Sequence, residues 1–211
     1  MDQTRPALIL LLCACAEPTE NPDAGASPAD LPFATAVVQF SPGEGAGFGA
    51  DKMPDVVLGA SQGHGVARGS MDVLSLGRGG QITLSFAPRR IIDGQGDDLV
   101  VFENSFWPGG NSAAVFAELG RVELSQDGEN WHAFNCQQGE LPPQGCAGFS
   151  PSLECADSAS FEIEDCGGDA FDLADLGLDF AHFIRITDLS FAGEEPSAGF
   201  DLDAVGLIHY D

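Results

Sequence analysis

Gln81-Ile82-Thr83-Leu84-Ser85-Phe86 sets the fold class. Ile, Leu and Phe fall on one side of an extended chain and Gln, Thr and Ser on the other, the period of two expected of a strand with one buried face. Arg121-Val-Glu-Leu-Ser125 repeats the pattern. Ser125-Gln-Asp-Gly-Glu-Asn-Trp131 then reads as a hairpin, with Asp-Gly tolerating positive φ and Trp131 in the core. Further strands are expected over residues 33–40, 55–59, 71–76, 98–103, 131–136, 182–187 and 204–209. The 27 glycines suit many turns and argue against long helices. Residues 169–178 alone read as a short helix, ended by Gly177. The chain is therefore expected to be all-β, an antiparallel sandwich or jelly roll with short helical turns.

The N-terminus carries a different signal. Arg5 precedes a short apolar run, residues 7–12, too short to span a bilayer and about the length of a signal h-region. Leu12-Cys13-Ala14-Cys15 resembles a bacterial lipobox, which implies cleavage after residue 14 and lipidation of Cys15. Residues 15–32 are rich in Pro, Ala, Asp, Glu and Ser and read as a flexible tether. Residues 33–211 then form one domain. The chain is expected to be exported and lipid-anchored at the cell envelope. Ala16 after the lipidated cysteine favours the outer membrane and cell surface.

The formal net charge is −25, from 33 acidic and 8 basic residues. Such a surface repels phosphate backbones, so nucleic acid is not an expected partner, and divalent cations are the natural counter-species. Cys136, Cys146, Cys155 and Cys166 are an even set in an exported chain and read as two disulfides. Pairing of near neighbours, Cys136–Cys146 and Cys155–Cys166, is favoured, with the other two connectivities open. A zinc site is disfavoured because no CxxC pair occurs.

From Gly47 onward the chain resembles a family of bacterial cell-surface lipoproteins. The shared segments include IIDGQGDDLVVFENSF, AELGRVELSQDGENWHAF, GGDAFDLADLGL, FIRITDLS and GFDLDAV. The order of the SQDGENW hairpin, FIRITDL and GFDLDAV is also similar to discoidin-like, galactose-binding-like jelly rolls. That resemblance implies rim loops that bind a ligand, often a sugar, and often a structural calcium ion.

Several acids fit such an ion. Asp93-Gly-Gln-Gly-Asp97-Asp98 places three carboxylates in a glycine-rich loop before a strand, and calcium accepts six to eight oxygen ligands in irregular geometry. The segment resembles one copy of the β-roll calcium repeat. Glu103 follows the strand, and Asp201 and Asp203 flank Leu202 near the last strand, where alternation would point both to one side. Asp93, Asp97, Asp98, Glu103, Asp201 and Asp203 are thus the expected calcium ligands. Asp169, Asp172 and Asp175 form a second acidic cluster. On a helix their i, i+3, i+6 spacing would place them near one face, with Asp169 as N-cap and a second calcium ion as the alternative.

Phe106, Trp107 and Asn111 lie in a loop whose rings could stack on a sugar. Gly59-Ala-Ser61-Gln-Gly63 matches a hydrolase nucleophile elbow, with Asp203 and His209 following in chain order. The next residues are broken by glycine rather than helical, so Ser61 is expected in a rim loop and the chain is expected not to be an enzyme. The function expected is that of a lipid-anchored, calcium-stabilised surface protein recognising a polysaccharide or another envelope component. A structural or adhesive envelope protein is the alternative.

Overall fold

The computed structural model describes residues 31–153, 166–190 and 193–211. Cys13, Cys15, Cys155 and the 1–30 leader and tether lie outside the described residues. Two antiparallel sheets face each other. One is ordered β1 (Ala36–Ser41), β3 (Gln81–Ser85), β11 (Phe183–Asp188), β6 (Gly120–Ser125) and β7 (His132–Ala133), with β8 (Cys146–Ala147) also paired to β6. The other is ordered β2 (Leu74–Ser75), β12 (Asp201–Leu207), β5 (Leu99–Glu103) and β9 (Asp169–Phe171). A two-stranded piece, β4 (Ile91–Ile92) with β10 (Phe180–Ala181), completes an all-β sandwich.

The alternation in β3 does what its residues dictate. Ile82, Leu84 and Phe86 are fully buried and meet Val122 and Leu124 of β6 and Ile184 and Ile186 of β11 in one core. From the facing sheet come Leu99, Val101, Leu202, Val205 and Leu207. β5 reads Leu-Val-Val-Phe-Glu and is buried on both faces. Its second face, Val100 and Phe102, is covered with Ala204 by Leu31, Phe33, Ala60 and Cys166. Such two-sided burial explains why the strand is continuously apolar rather than alternating.

The segment leading into β1 ties the sheets together. The Ala34 amide donates to the Val205 carbonyl (2.9 Å) and the Leu207 amide to the Pro32 carbonyl (2.7 Å), both in the β12 sheet. One residue later the Thr35 amide donates to the Ser85 carbonyl of β3 (2.9 Å). The register of β12 on β5 shifts between Leu202 and Ala204, which makes Asp203 a bulged residue.

Some expectations change. Residues 55–59 are not a strand: Asp55–Val57 form a 3-10 turn behind Pro54, with Val56 and Val57 buried. Consecutive rather than alternate apolar side chains already fit a turn pressed against β12, where that turn packs. Residues 169–178 are not one helix, because Asp169–Phe171 pair with β5 as β9. A 3-10 turn, Leu173–Leu176, follows, with Asp172 rather than Asp169 as N-cap and Gly177 (φ 64°) ending it. The expected strand over 71–76 narrows to Leu74–Ser75, and that over 131–136 to His132–Ala133. The hairpin forms as read, with Gly128 at φ 79° and the Asp127 carboxylate accepting the Glu129 and Asn130 amides. Trp131 is half-buried rather than in the core: the Arg185 guanidinium lies 4.0 Å from its ring centre. Arg185 is a better cover than solvent because its planar fork also binds both oxygens of Glu123, at 2.8 and 2.9 Å.

Cys136 and Cys146 are bonded, with Cα atoms 4.5 Å apart. Cys166 is also disulfide-bonded.

Candidate functional site

The acids divide into two neighbourhoods that differ from the sequence grouping. In the first, the loop between β4 and β5 meets the turn after β9. Asp93, Asp98 and Asp172 each bring a carboxylate oxygen within 4.8 Å of the others. Asp98 is fully buried and organises the loop: it accepts the Gly94 and Leu173 amides, both at 2.8 Å, and its Oδ1 lies 2.8 Å from His209 Nδ1. Gly94 is required there because a Cβ would run into the His209 ring. Partial burial, then repulsion from Asp172, Asp98 and Asp175, raises the Asp97 carboxyl above its ordinary range. The glycine-rich loop and Asp172 of the second acidic cluster therefore meet in one place, with Asp175 near enough to repel Asp97. Three oxygen donors of mixed exposure fit a hard divalent cation, which would relieve that repulsion.

Asp169 belongs elsewhere. Its carboxylate accepts the amides of Gly148 (2.7 Å), Phe149 (2.9 Å) and Ser150 (3.2 Å). Burial raises its pKa and these amide bonds oppose the rise. β-pairing, not helix geometry, fixes its direction, so the i, i+3, i+6 face does not exist.

The second neighbourhood surrounds the start of β12 and the end of β5. Asp201 holds the Ser75 hydroxyl and receives Asn104 Nδ2 at 3.5 Å. Its amide donates to Glu103 Oε1 at 3.3 Å. Burial, followed by repulsion from Asp201 and Glu118, pushes Glu103 well up. Glu118 is pushed up to about 8 by burial, then by Asp201 and Asp188. Asp188 accepts the Gly79 and Phe200 amides at 2.9 and 2.8 Å, and burial raises it too. Asp203 is pushed up to about 7 by burial, against bonds from the Gln62 amide (2.9 Å) and Ser61. Glu103, Asp201 and Asp203 thus sit apart from the Asp93–Asp98–Asp172 trio, so the six acids do not surround one ion. The bulge at Asp203 breaks the alternation that would have aligned it with Asp201.

Ser61 lies in the loop after the Asp55–Val57 turn and is fully buried rather than exposed. Its Oγ lies 3.0 Å from the Leu153 carbonyl oxygen and 3.1 Å from Asp203 Oδ2. His209 is engaged with Asp98 instead, so Ser61, Asp203 and His209 do not form a relay.

A cleft of about 620 Å³ opens between residues 112–119 and the loop closed by Cys136–Cys146. Its walls mix apolar and polar groups, among them Val115, Leu119, Leu141, Phe149, Ser112 and Gln138. Leu141 is 87% exposed. Phe149 is the residue whose amide Asp169 anchors. Ala117 and Leu119 line the cleft, while Glu118 between them turns inward. Phe106 and Trp107 do not line it. Phe106 stacks on Phe116 at 5.1 Å, and the Trp107 amide donates to the Val66 carbonyl. Asn111 Oδ1 accepts the Ala113 amide at 3.1 Å and shapes the start of the wall. Sequence reasoning missed Glu118, Asp188 and the 138–143 wall. Nothing local distinguishes these residues from ordinary loop and strand-end positions, because tertiary packing alone brings them together.

No protein-family model and no curated protein sequence matches the chain. Among solved structures the chain is similar to the C-terminal domain of a chitobiase from Bacteroides fragilis, at 14% identity and a TM-score of 0.31, covering 62% of each chain.

Proposed function

We propose that this chain is a lipid-anchored, non-catalytic surface protein that holds a polysaccharide or another envelope component in the cleft beside residues 112–119. The cleft carries the reading. It is wide enough for a small ligand or a short stretch of a polymer and pairs apolar patches with hydrogen-bonding side chains, as recognition of a hydroxylated ring requires. Its far wall is fixed by a disulfide, and Phe149 is fixed through Asp169, so little order has to be acquired on binding. Calcium at Asp93, Asp98 and Asp172 is part of the proposal, with the ion holding the loop to the turn after β9 rather than activating water. The burial of Ser61 and the attachment of His209 to Asp98 support binding without turnover. Lipidation at Cys15 would present the domain at the envelope.

Affinity electrophoresis of the purified full-length chain through gels carrying defined envelope polysaccharides tests the cleft. Ala114→Trp, which fills it, is expected to abolish retardation while leaving the melting temperature within a few degrees. Equal retardation of both forms would remove the cleft from the function. Radiolabelled palmitate incorporated by the parent chain and not by Cys15→Ala tests the anchor.

A further inference from the structure

Beside the second acidic neighbourhood lies a small, narrow cavity whose lining offers mainly oxygen donors. Glu103, Asn104, Ser105, Ser70, Ser152 and Asp203 contribute to it. Two of these side chains have polar atoms with no partner among the described residues. Glu103 is 1% exposed and its Oε2 accepts nothing; Ser105 is 2% exposed and its Oγ bonds to nothing. Leaving a buried carboxylate oxygen unpaired is costly, so such an atom in a native fold calls for an occupant. The cations nearby do not supply one. Arg68 and His64 are exposed at the cavity's mouth and form no ion pair with either acid. The walls are close-fitted: a Cβ on Gly69 would strike the Asn104 side chain, and one on Gly63 the Ser152 backbone.

We propose that this cavity is a binding site for a hard divalent cation of calcium's kind, held by Glu103 Oε2, Ser105 Oγ and Asp203. Two carboxylates and neutral oxygens inside, with the His64 imidazole only at the exposed mouth and no sulfur among the lining residues, favour that ion class. The β12 bulge has a role in this arrangement: it aims Asp203 out of the Asp201 row and towards Glu103's side of the sheet edge. The site is independent of the cleft and of the Asp93–Asp98–Asp172 trio.

Equilibrium dialysis of the chelator-stripped full-length chain against radioactive calcium reads the stoichiometry. Two ions per chain are expected, falling to one in Glu103→Gln and to one in Asp172→Asn. Ser105→Ala, a smaller change should Glu103→Gln not fold, is expected to weaken one class of site at least tenfold. One ion lost in Asp172→Asn, with Ser105→Ala unchanged, overturns this site alone. One ion lost in Glu103→Gln but kept in Asp172→Asn overturns the trio alone. No bound calcium overturns both.

Discussion

Glu118→Gln should flatten the dependence of stability on pH. The Glu118 carboxyl is buried, and its pKa stands at about 8 in the fold against an ordinary 4.5. Below 4.5 the folded and unfolded chains both hold the proton, and the group contributes nothing. Between 4.5 and 8 the unfolded chain releases it while the folded chain keeps it, so stability falls as pH rises. At ~1.36 kcal/mol per unit, an interval of about 3.5 units amounts to ~5 kcal/mol; screening by water beside the cleft halves that to about 2–3 kcal/mol. Glutamine keeps the shape and cannot ionise. Urea unfolding in EDTA at pH 5 and pH 8 measures the effect in parent and variant. With m near ~2 kcal/mol/M, the parent should lose about 1 M more in its midpoint than Glu118→Gln does between the two pH values. The difference between variants matters, because Glu103 and Asp203 tilt both profiles in the same direction. Parallel profiles at equal m would refute the assignment of Glu118 as a neutral acid at pH 7.

Three further outcomes follow from the geometry. Replacing Cys136 and Cys146 by serine opens a loop spanning ten positions and should cost about 3 kcal/mol of loop-closure entropy, read as a fall of roughly 6–12 °C in Tm. Asp169→Ala removes the acceptor for three successive amides and should cost about 2–4 kcal/mol by urea unfolding, with weaker retardation in polysaccharide gels because the Phe149 wall loosens. Arg185→Gln leaves the nearly buried Glu123 without its fork and uncovers Trp131. A loss of about 2–4 kcal/mol and a red-shifted tryptophan emission are expected, and Glu123→Gln in the same chain should recover part of the stability.

The sandwich was legible where one strand face is apolar and the other polar. Residues 81–86 and 121–125 announce β3 and β6 by alternation, and Asp127-Gly128 announces their neighbouring hairpin. Legibility fails in two physical situations. Two-residue strands such as Ile91–Ile92 and Cys146–Ala147 are too short to show any period. Segments whose burial comes from one distant partner also mislead: the Val56–Val57 pair reads as a strand yet folds as a turn on β12. The acids show the same division. Asp93, Asp97 and Asp98 stand out as a loop, and Asp172 and Asp175 as a cluster, but only the β5–β9 pairing reveals that they share one place. Glu103, Asp201 and Asp203 gather at the other end of β5, where a bulge at Asp203 breaks its alignment with Asp201, and no local residue pattern marks a bulge.

The segment from Pro32 to Thr35 has a mechanical consequence. Were the chain anchored through Cys15 as proposed, drag on the domain would act as tension at this segment. After the Arg89 guanidinium's bond to the Leu31 carbonyl (2.6 Å), the load falls on the Leu207–Pro32 and Ala34–Val205 backbone pairs, side by side along β12, followed at once by Thr35–Ser85 on the opposite sheet. Tension therefore reaches both sheets together, with Phe33 plugged beneath Phe102 as a buried knot. Bonds lying side by side along the pull share it in shear, whereas an edge strand peeled from its end breaks them one at a time. A domain built this way would resist being pulled open from its N-terminal end.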